Sequence, residues 1–145
     1  MPNHFCTTAE IERIGRGLVD RSLPKREWTH AAHFAAALWL LRHRRELEPA
    51  VEMPRLIRAY NEATGVANTD TGGYHETITL ASLRAARSVL DRHGESAPLH
   101  CVANDLLASE LGRSDWLLLY WSRARLFSVE ARRLWIEPDL KPLPF

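Results

Sequence analysis

The segment from Thr29 to Glu46 constrains the fold most, because its apolar residues recur at the spacing of an α-helix. At 100° per residue, one arc of this helix carries Phe34, Ala37, Leu38, Leu40 and Leu41. Thr29 is the predicted N-cap, and Trp28 before it is placed to act as a hydrophobic staple. An apolar arc this wide needs other helices to cover it, so the pattern predicts the interior of a helical bundle.

The other helices are predicted from capping residues, prolines and glycines. A first helix begins at the Thr7 cap and ends at Ser22-Leu23-Pro24, a third runs from Pro54 to Gly65, a fourth follows the loop 66–73 and ends near Gly94, a fifth lies between Pro98 and Gly112, and a last one runs from Ser128 to Trp135. No segment shows the alternation of a β-strand. The sequence therefore predicts an all-α bundle of five to seven helices.

The length and composition favour one domain over residues 1–145. A chain of 145 residues with 46% hydrophobic residues is long enough for one core and short for two. The net charge of +1 gives no reason to expect nucleic acid or a membrane surface as a partner. Cys6 and Cys101 lack metal-ligand spacing, and the sequence shows neither a signal peptide nor an apolar run of transmembrane length. We expect a cytoplasmic protein.

The stretch from Thr69 to Thr79 is the first candidate site. The glycine pair Gly72-Gly73 breaks the backbone, and His75 and Glu76 then open the fourth helix. On the helical wheel His75 and Thr79 face the apolar side, whereas Glu76 lies about 100° from His75, at the border of that side. Polar groups at the start of a helix, turned towards the core, predict a small polar pocket between the second, third and fourth helices.

Two further histidines, His30 and His33, lie three residues apart on the second helix and face its apolar side. With His75 they would form a facial set of three imidazoles for a divalent ion such as Zn, Mn, Fe or Ni, with one position left for water. Glu76 would then serve as the general base or as a fourth ligand. This arrangement predicts a metal-dependent enzyme, hydrolase-like or lyase-like, that acts on a small molecule.

A metal-free interpretation uses the same residues. His30 and His33 near a helix start can instead be core histidines that bond to carbonyl groups, and a carboxylate such as Glu76 is favoured in a first helical turn whatever its function. The polar residues that would then contact a small-molecule ligand are Tyr60, Asn61, Tyr74 and Thr79. The alternative function is a small-molecule-binding domain, or an interaction or oligomerisation domain.

The segment from Trp116 to Trp121 is apolar on all sides, which predicts that something covers it. One candidate is a second copy of the chain, which would make the protein a homodimer. The other is the Pro-rich tail, residues 137–145, which we expect to be extended and held against the bundle by Leu140, Leu143 and Phe145.

Three motifs together resemble those of a group of short, uncharacterised bacterial helical proteins. They are Thr29-His30-x-x-His33, Gly73-Tyr74-His75-Glu76-Thr77-x-Thr79 and Pro138-Asp139-Leu140. The resemblance extends over nearly the whole chain. It implies a helical fold and the same choice of site residues, and it carries no activity with it.

Overall fold

The structure is a computed structural model that describes residues 4–44 and 46–145. These residues form seven α-helices and no strand, in the order α1 (Thr8–Val19), α2 (His30–His43), α3 (Pro49–Ala63), α4 (Glu76–His93), α5 (Leu99–Ala108), α6 (Arg123–Leu126) and α7 (Val129–Arg133). Short 3-10 turns lie at Lys25–Glu27, Glu110–Gly112 and Trp116–Leu119. The all-α prediction is confirmed. Among the helices of the described residues, none combines the length and the apolar character that a membrane span requires.

Helix α2 lies in the middle of the bundle, where α1, α3, α4 and α5 all pack against it. Every residue from Phe34 to Leu41 is buried, including Ala35, Ala36 and Trp39, which the wheel places off the predicted arc. The helix is therefore surrounded, not one-sided. On the side that carries Trp39, α2 packs closely against Gly15 of α1. A Cβ added to Gly15 would lie 2.4 Å from the Trp39 ring.

The start of α2 confirms the predicted cap and staple. The Thr29 hydroxyl accepts a hydrogen bond from the Ala32 N–H at 3.2 Å. Trp28, the residue before the cap, stacks on His33 with 3.9 Å between the ring centroids. A staple joins these two positions, the residue before the cap and the fourth helical residue. The same contact that sets the entry of the chain into α2 therefore also orients the His33 ring.

The predicted start of the third helix was wrong. Helix α3 begins at Pro49, and Pro54 lies inside it and is buried. Either proline is acceptable at the first helical position, but Pro54 within the helix removes one backbone hydrogen bond. The end was predicted correctly, since Gly65 follows the C-cap with a φ of +83°.

Helix α6 was not predicted from the sequence. Ser122 and Ser128 each accept a backbone N–H three residues on and so cap α6 and α7 separately. Ser128 was predicted as a helix start, whereas Ser122 was not. A helix of one turn carries too few residues for periodicity to show it.

The apolar segment from Trp116 to Trp121 is largely buried by this chain itself. Trp116 and Trp121 are fully buried, and the Trp121 indole donates to the Ile136 carbonyl at 3.1 Å. The Leu140 N–H donates to the Tyr120 carbonyl at 2.9 Å. Residues that follow α7 thus cover part of this segment. A homodimer and an extended conformation of the tail stay predictions.

The side chains expected to hold the tail divide into two groups. Leu143 and Phe145 pack against the core, whereas the side chain of Leu140 is 57% exposed. Leu140 is attached through its backbone N–H, so its predicted role as an apolar anchor was wrong.

Candidate functional site

A pocket of about 330 Å³ lies between α2, α3, the first turns of α4 and the loop 66–75. Its apolar walls include Trp28, Met53, Ile57, Val66, Ile78 and Leu83. Its polar side chains are His33, Asn61, Tyr74, His75, Thr79 and Ser82. No Asp, Glu, Lys or Arg lines it among the described residues. The site therefore lies where the sequence placed it, but it is more apolar than expected and contains no formally charged side chain.

His33 is a polar side chain of this pocket that has no hydrogen-bond partner in the described residues. Its ring stacks on Trp28, and neither ring nitrogen has a hydrogen-bond partner within residues 4–44 and 46–145. Burial lowers the pKa of His33 to about 4, and the neighbouring His30 acts in the same direction. The ring is thus neutral at pH 7 and presents one N–H and one bare nitrogen.

His75, the second histidine of the lining, is the N-cap of α4. Its Nδ1 accepts the Ile78 N–H at 3.2 Å, and its Nε2 donates to the Leu126 carbonyl at 2.8 Å. These two bonds fix the tautomer with the proton on Nε2. Burial lowers the pKa of His75, and the charge of Arg132 adds to this effect. Both nitrogens that a metal ion would need are bonded to the backbone.

His30, the third predicted ligand, does not line the pocket. Its Nε2 lies 2.7 Å from the carbonyl oxygen of Leu111, and its ring meets Phe34 edge to face. The three imidazoles therefore do not converge as expected. Within the part of the chain that the structure describes, no group of three or more His, Cys, Asp or Glu side chains is arranged to hold a metal ion.

Asn61 has an orientation that its neighbours define. Asn68 accepts the Tyr74 N–H through Oδ1 at 3.0 Å and donates from Nδ2 to the Arg58 carbonyl at 3.2 Å. Because Oδ1 of Asn68 is an acceptor, the Asn61 atom 3.0 Å from it must be the donor Nδ2. This leaves Oδ1 of Asn61, which has no partner in the described residues, as an acceptor for a ligand.

Tyr74 and Glu76 form a pair at the edge of the pocket. The Tyr74 hydroxyl donates to Oε1 of Glu76 at 2.5 Å, and the Arg58 guanidinium lies 4.4 Å from the centre of the Tyr74 ring. Burial raises the pKa of Tyr74, and the bond to Glu76 raises it further. Tyr74 lines the pocket, whereas Glu76, the predicted base, is not part of the lining and accepts the Tyr74 hydroxyl.

Of the two remaining predicted ligand residues, Thr79 lines the pocket and Tyr60 does not. Tyr60 is fully buried outside the lining, and its hydroxyl donates to the Leu23 carbonyl at 2.7 Å. Thr79 lines the pocket, one helical turn from Ser82 on the same face of α4. Ser82 was not among the predicted ligand residues, although the wheel that selected His75 and Thr79 also places Ser82 on their side.

Residues of α7 hold the loop that forms one wall of the pocket. The Arg132 guanidinium donates to the carbonyls of Gly73 and Tyr74 at 3.0 and 3.2 Å. Arg133 forms an ion pair with Asp70, with its Nε 2.7 Å from Oδ1. These contacts span roughly 60 residues of sequence, and no local motif indicates them. The wall is therefore held at Asp70, near its middle, and at Gly73 and Tyr74, near its end.

Gly73 is required at its position in this loop. Its φ is +77°, and an added Cβ would lie 2.4 Å from the Ala67 carbonyl oxygen. We expect Gly73→Ala to lower the free energy of unfolding by about 2 kcal/mol, because both backbone strain and the clash oppose the native loop. The matched control is Gly72→Ala, whose Cβ would meet only Thr69 Oγ1 at 3.8 Å and should change stability by no more than about 0.5 kcal/mol. Urea denaturation of both variants measures this, and equal effects would contradict it.

Comparisons of the chain with models of protein families, with curated proteins and with solved structures find no match. The resemblance to short bacterial helical proteins stays a prediction. The function must therefore be argued from the pocket and its side chains.

Proposed function

We propose that this chain is a metal-free binding protein for a small molecule, which it holds in the pocket between α2, α3 and α4. The observation that carries the proposal is His33, a half-buried neutral imidazole without a hydrogen-bond partner in the described residues, on the wall of a cavity of about 330 Å³. A ligand in this cavity can bond to the nitrogens of His33 while the apolar walls cover the rest of the ligand.

The hydrogen bonds that other polar groups of the pocket already make support the proposal. His75 is bonded at both nitrogens, and the Tyr74 hydroxyl is bonded to Glu76. A pocket whose walls are already fixed loses little conformational freedom when it binds, so more of the contact energy becomes affinity. His33, Asn61 Oδ1 and the Ser82 hydroxyl are left for the ligand.

The volume limits the size of the ligand. Small-molecule sites usually enclose roughly 300 to 1,000 Å³, and this pocket lies at the lower end of that range. Apolar walls with a few polar groups are typical of such sites. The ligand is therefore expected to be about the size of one substituted ring.

Filling the pocket should abolish binding. Ser82 lines the pocket and Ser88 lies on the same helix outside it, both half-buried. In ligand-observed NMR with a set of single-ring fragments, we expect wild type and Ser88→Leu to bind the same fragments and Ser82→Leu to lose them. The proposal fails if wild type binds no fragment, or if Ser82→Leu binds as wild type does.

The metal-dependent hydrolase or lyase, with His30, His33 and His75 as ligands and Glu76 as base, stays a prediction. Its first requirement is a bound ion, which would stabilise the native state by mass action. Melting curves of untagged protein with Zn, Mn, Fe or Ni salts and with a chelator test this. A melting temperature that none of them changes would contradict it.

A further inference from the structure

We propose that the pocket selects an uncharged ligand whose apolar ring carries a group with both a hydrogen-bond donor and an acceptor, such as a carboxamide, and that His33 and Asn61 recognise this group. This inference rests on the proposed function. It adds the chemical class of the ligand and the two side chains that distinguish it from charged molecules of the same size.

The lining explains the selection against charge. None of the described residues on it is Asp, Glu, Lys or Arg, and burial keeps His33 and His75 neutral at pH 7. An ion that left water for this pocket would find no opposite charge on its walls, and such a transfer is costly. The carboxylate of Glu76 is outside the lining and accepts the Tyr74 hydroxyl.

Asn61 supplies an acceptor, Oδ1, because its hydrogen bonds fix which atom of the side-chain amide is the oxygen. Its Nδ2 is bonded to Asn68, and Asn68 in turn is oriented by the Tyr74 N–H and the Arg58 carbonyl. Oδ1 of Asn61 cannot exchange places with Nδ2 without breaking this chain of bonds. The ligand must therefore bring a donor, an N–H or an O–H, to Asn61.

His33 supplies the complementary and adaptable group. Neither of its nitrogens is bonded within the described residues, so the neutral ring can place its proton on either one. Trp28 covers one face of the ring, and the unbonded nitrogens on its edge are available to a ligand. A carboxamide satisfies both sites when its N–H bonds to Asn61 and its carbonyl accepts from His33.

The remaining walls suit the ring of such a ligand. Met53, Ile57, Ile78 and Leu83 form apolar surface, and the Trp28 indole adds an aromatic one. Methionine adapts to the shape of an aromatic neighbour and makes favourable sulfur contacts with it. An aromatic ring on these walls would place its polar group at His33 and Asn61.

Four probes with one ring and different substituents test the inference at pH 7: benzamide, benzoate, benzylamine and toluene. Calorimetric or NMR titration of wild type should show benzamide binding at least about tenfold tighter than benzoate and benzylamine. His33→Phe keeps a ring against Trp28 and removes both nitrogens. It should weaken benzamide about tenfold and leave toluene unchanged, whereas His33→Gln should restore part of the benzamide affinity.

Toluene binding shows that the variant pocket is intact, so a folding defect cannot imitate the expected result. If benzoate or benzylamine binds wild type as tightly as benzamide, the ligand class is overturned while the proposed function stands. If His33→Phe binds benzamide as wild type does, the role of His33 is overturned. If wild type binds none of the four probes, the proposed function and this inference both fail.

Discussion

Replacing His75 by alanine is expected to lower the free energy of unfolding by about 3 kcal/mol. The substitution removes the acceptor for the Ile78 N–H at the start of α4 and leaves the Leu126 carbonyl without its donor. It also leaves a cavity, because His75 is only 6% exposed. Urea denaturation at pH 7 measures the change.

Two variants show which part of the effect belongs to which bond. His75→Asn keeps a good N-cap side chain but is too short to bond to Leu126, so it should lose about half as much stability. His43→Ala removes an exposed histidine and should change stability by no more than about 0.5 kcal/mol. An effect of His75→Ala no larger than that of His43→Ala would contradict the structural role.

Acid is expected to destabilise the protein between about pH 6.5 and pH 4, with His33 as the main cause. Burial lowers the pKa of His33 from 6.5 to about 4 in the folded chain. Above pH 6.5 neither state binds the proton and the full stability is present. Below it the unfolded chain binds a proton that the folded chain does not, so the free energy of unfolding falls with pH until about pH 4. The difference between these pKa values corresponds to about 3 kcal/mol.

Two other histidines also have shifted pKa values. His75, whose pKa is also lowered by burial, loses stability in the same direction. His93 has a raised pKa because it is bonded to Asp105, so its stabilising contribution develops above pH 6.5 and is already complete over the range in which His33 titrates. Since His33→Phe removes only the main titrating group, urea denaturation of this variant should show a much flatter slope over the same range. An unchanged slope would show that His33 is not the cause.

Local signals in the sequence predicted the helical framework. The Thr7 cap with Glu10, the Thr29 cap with its Trp28 staple and the Ser128 cap are all present, because each needs only residues within about one turn of one another. Pro49 and Pro54 show where this reasoning is limited. Both fit the first position of a helix, and the sequence does not say which one the helix begins with.

The sequence also predicted which side chains of a helix face the core. Helical periodicity selected His33, His75 and Thr79, which line one pocket, and also His30, which does not line it. The side chains that line it meet because α2, α3 and α4 turn their apolar faces towards each other in a bundle. Periodicity gives the side of a helix on which a residue lies, so it is informative wherever that side faces the core.

The tertiary structure alone decided what each polar atom of the site is bonded to. His75 meets Leu126, which is 51 residues away, and His30 meets Leu111, which is 81 residues away. A helical wheel records a direction and contains no information about the atom at the end of a side chain. The sequence by itself thus determined the main helices and many of the residues that face inwards, whereas only the packing decided that Nε2 of His75 bonds to Leu126 and that His33 is left with two nitrogens for a ligand. The physical reason is that caps and periodicity depend on neighbours in the chain, while hydrogen-bond partners depend on neighbours in space.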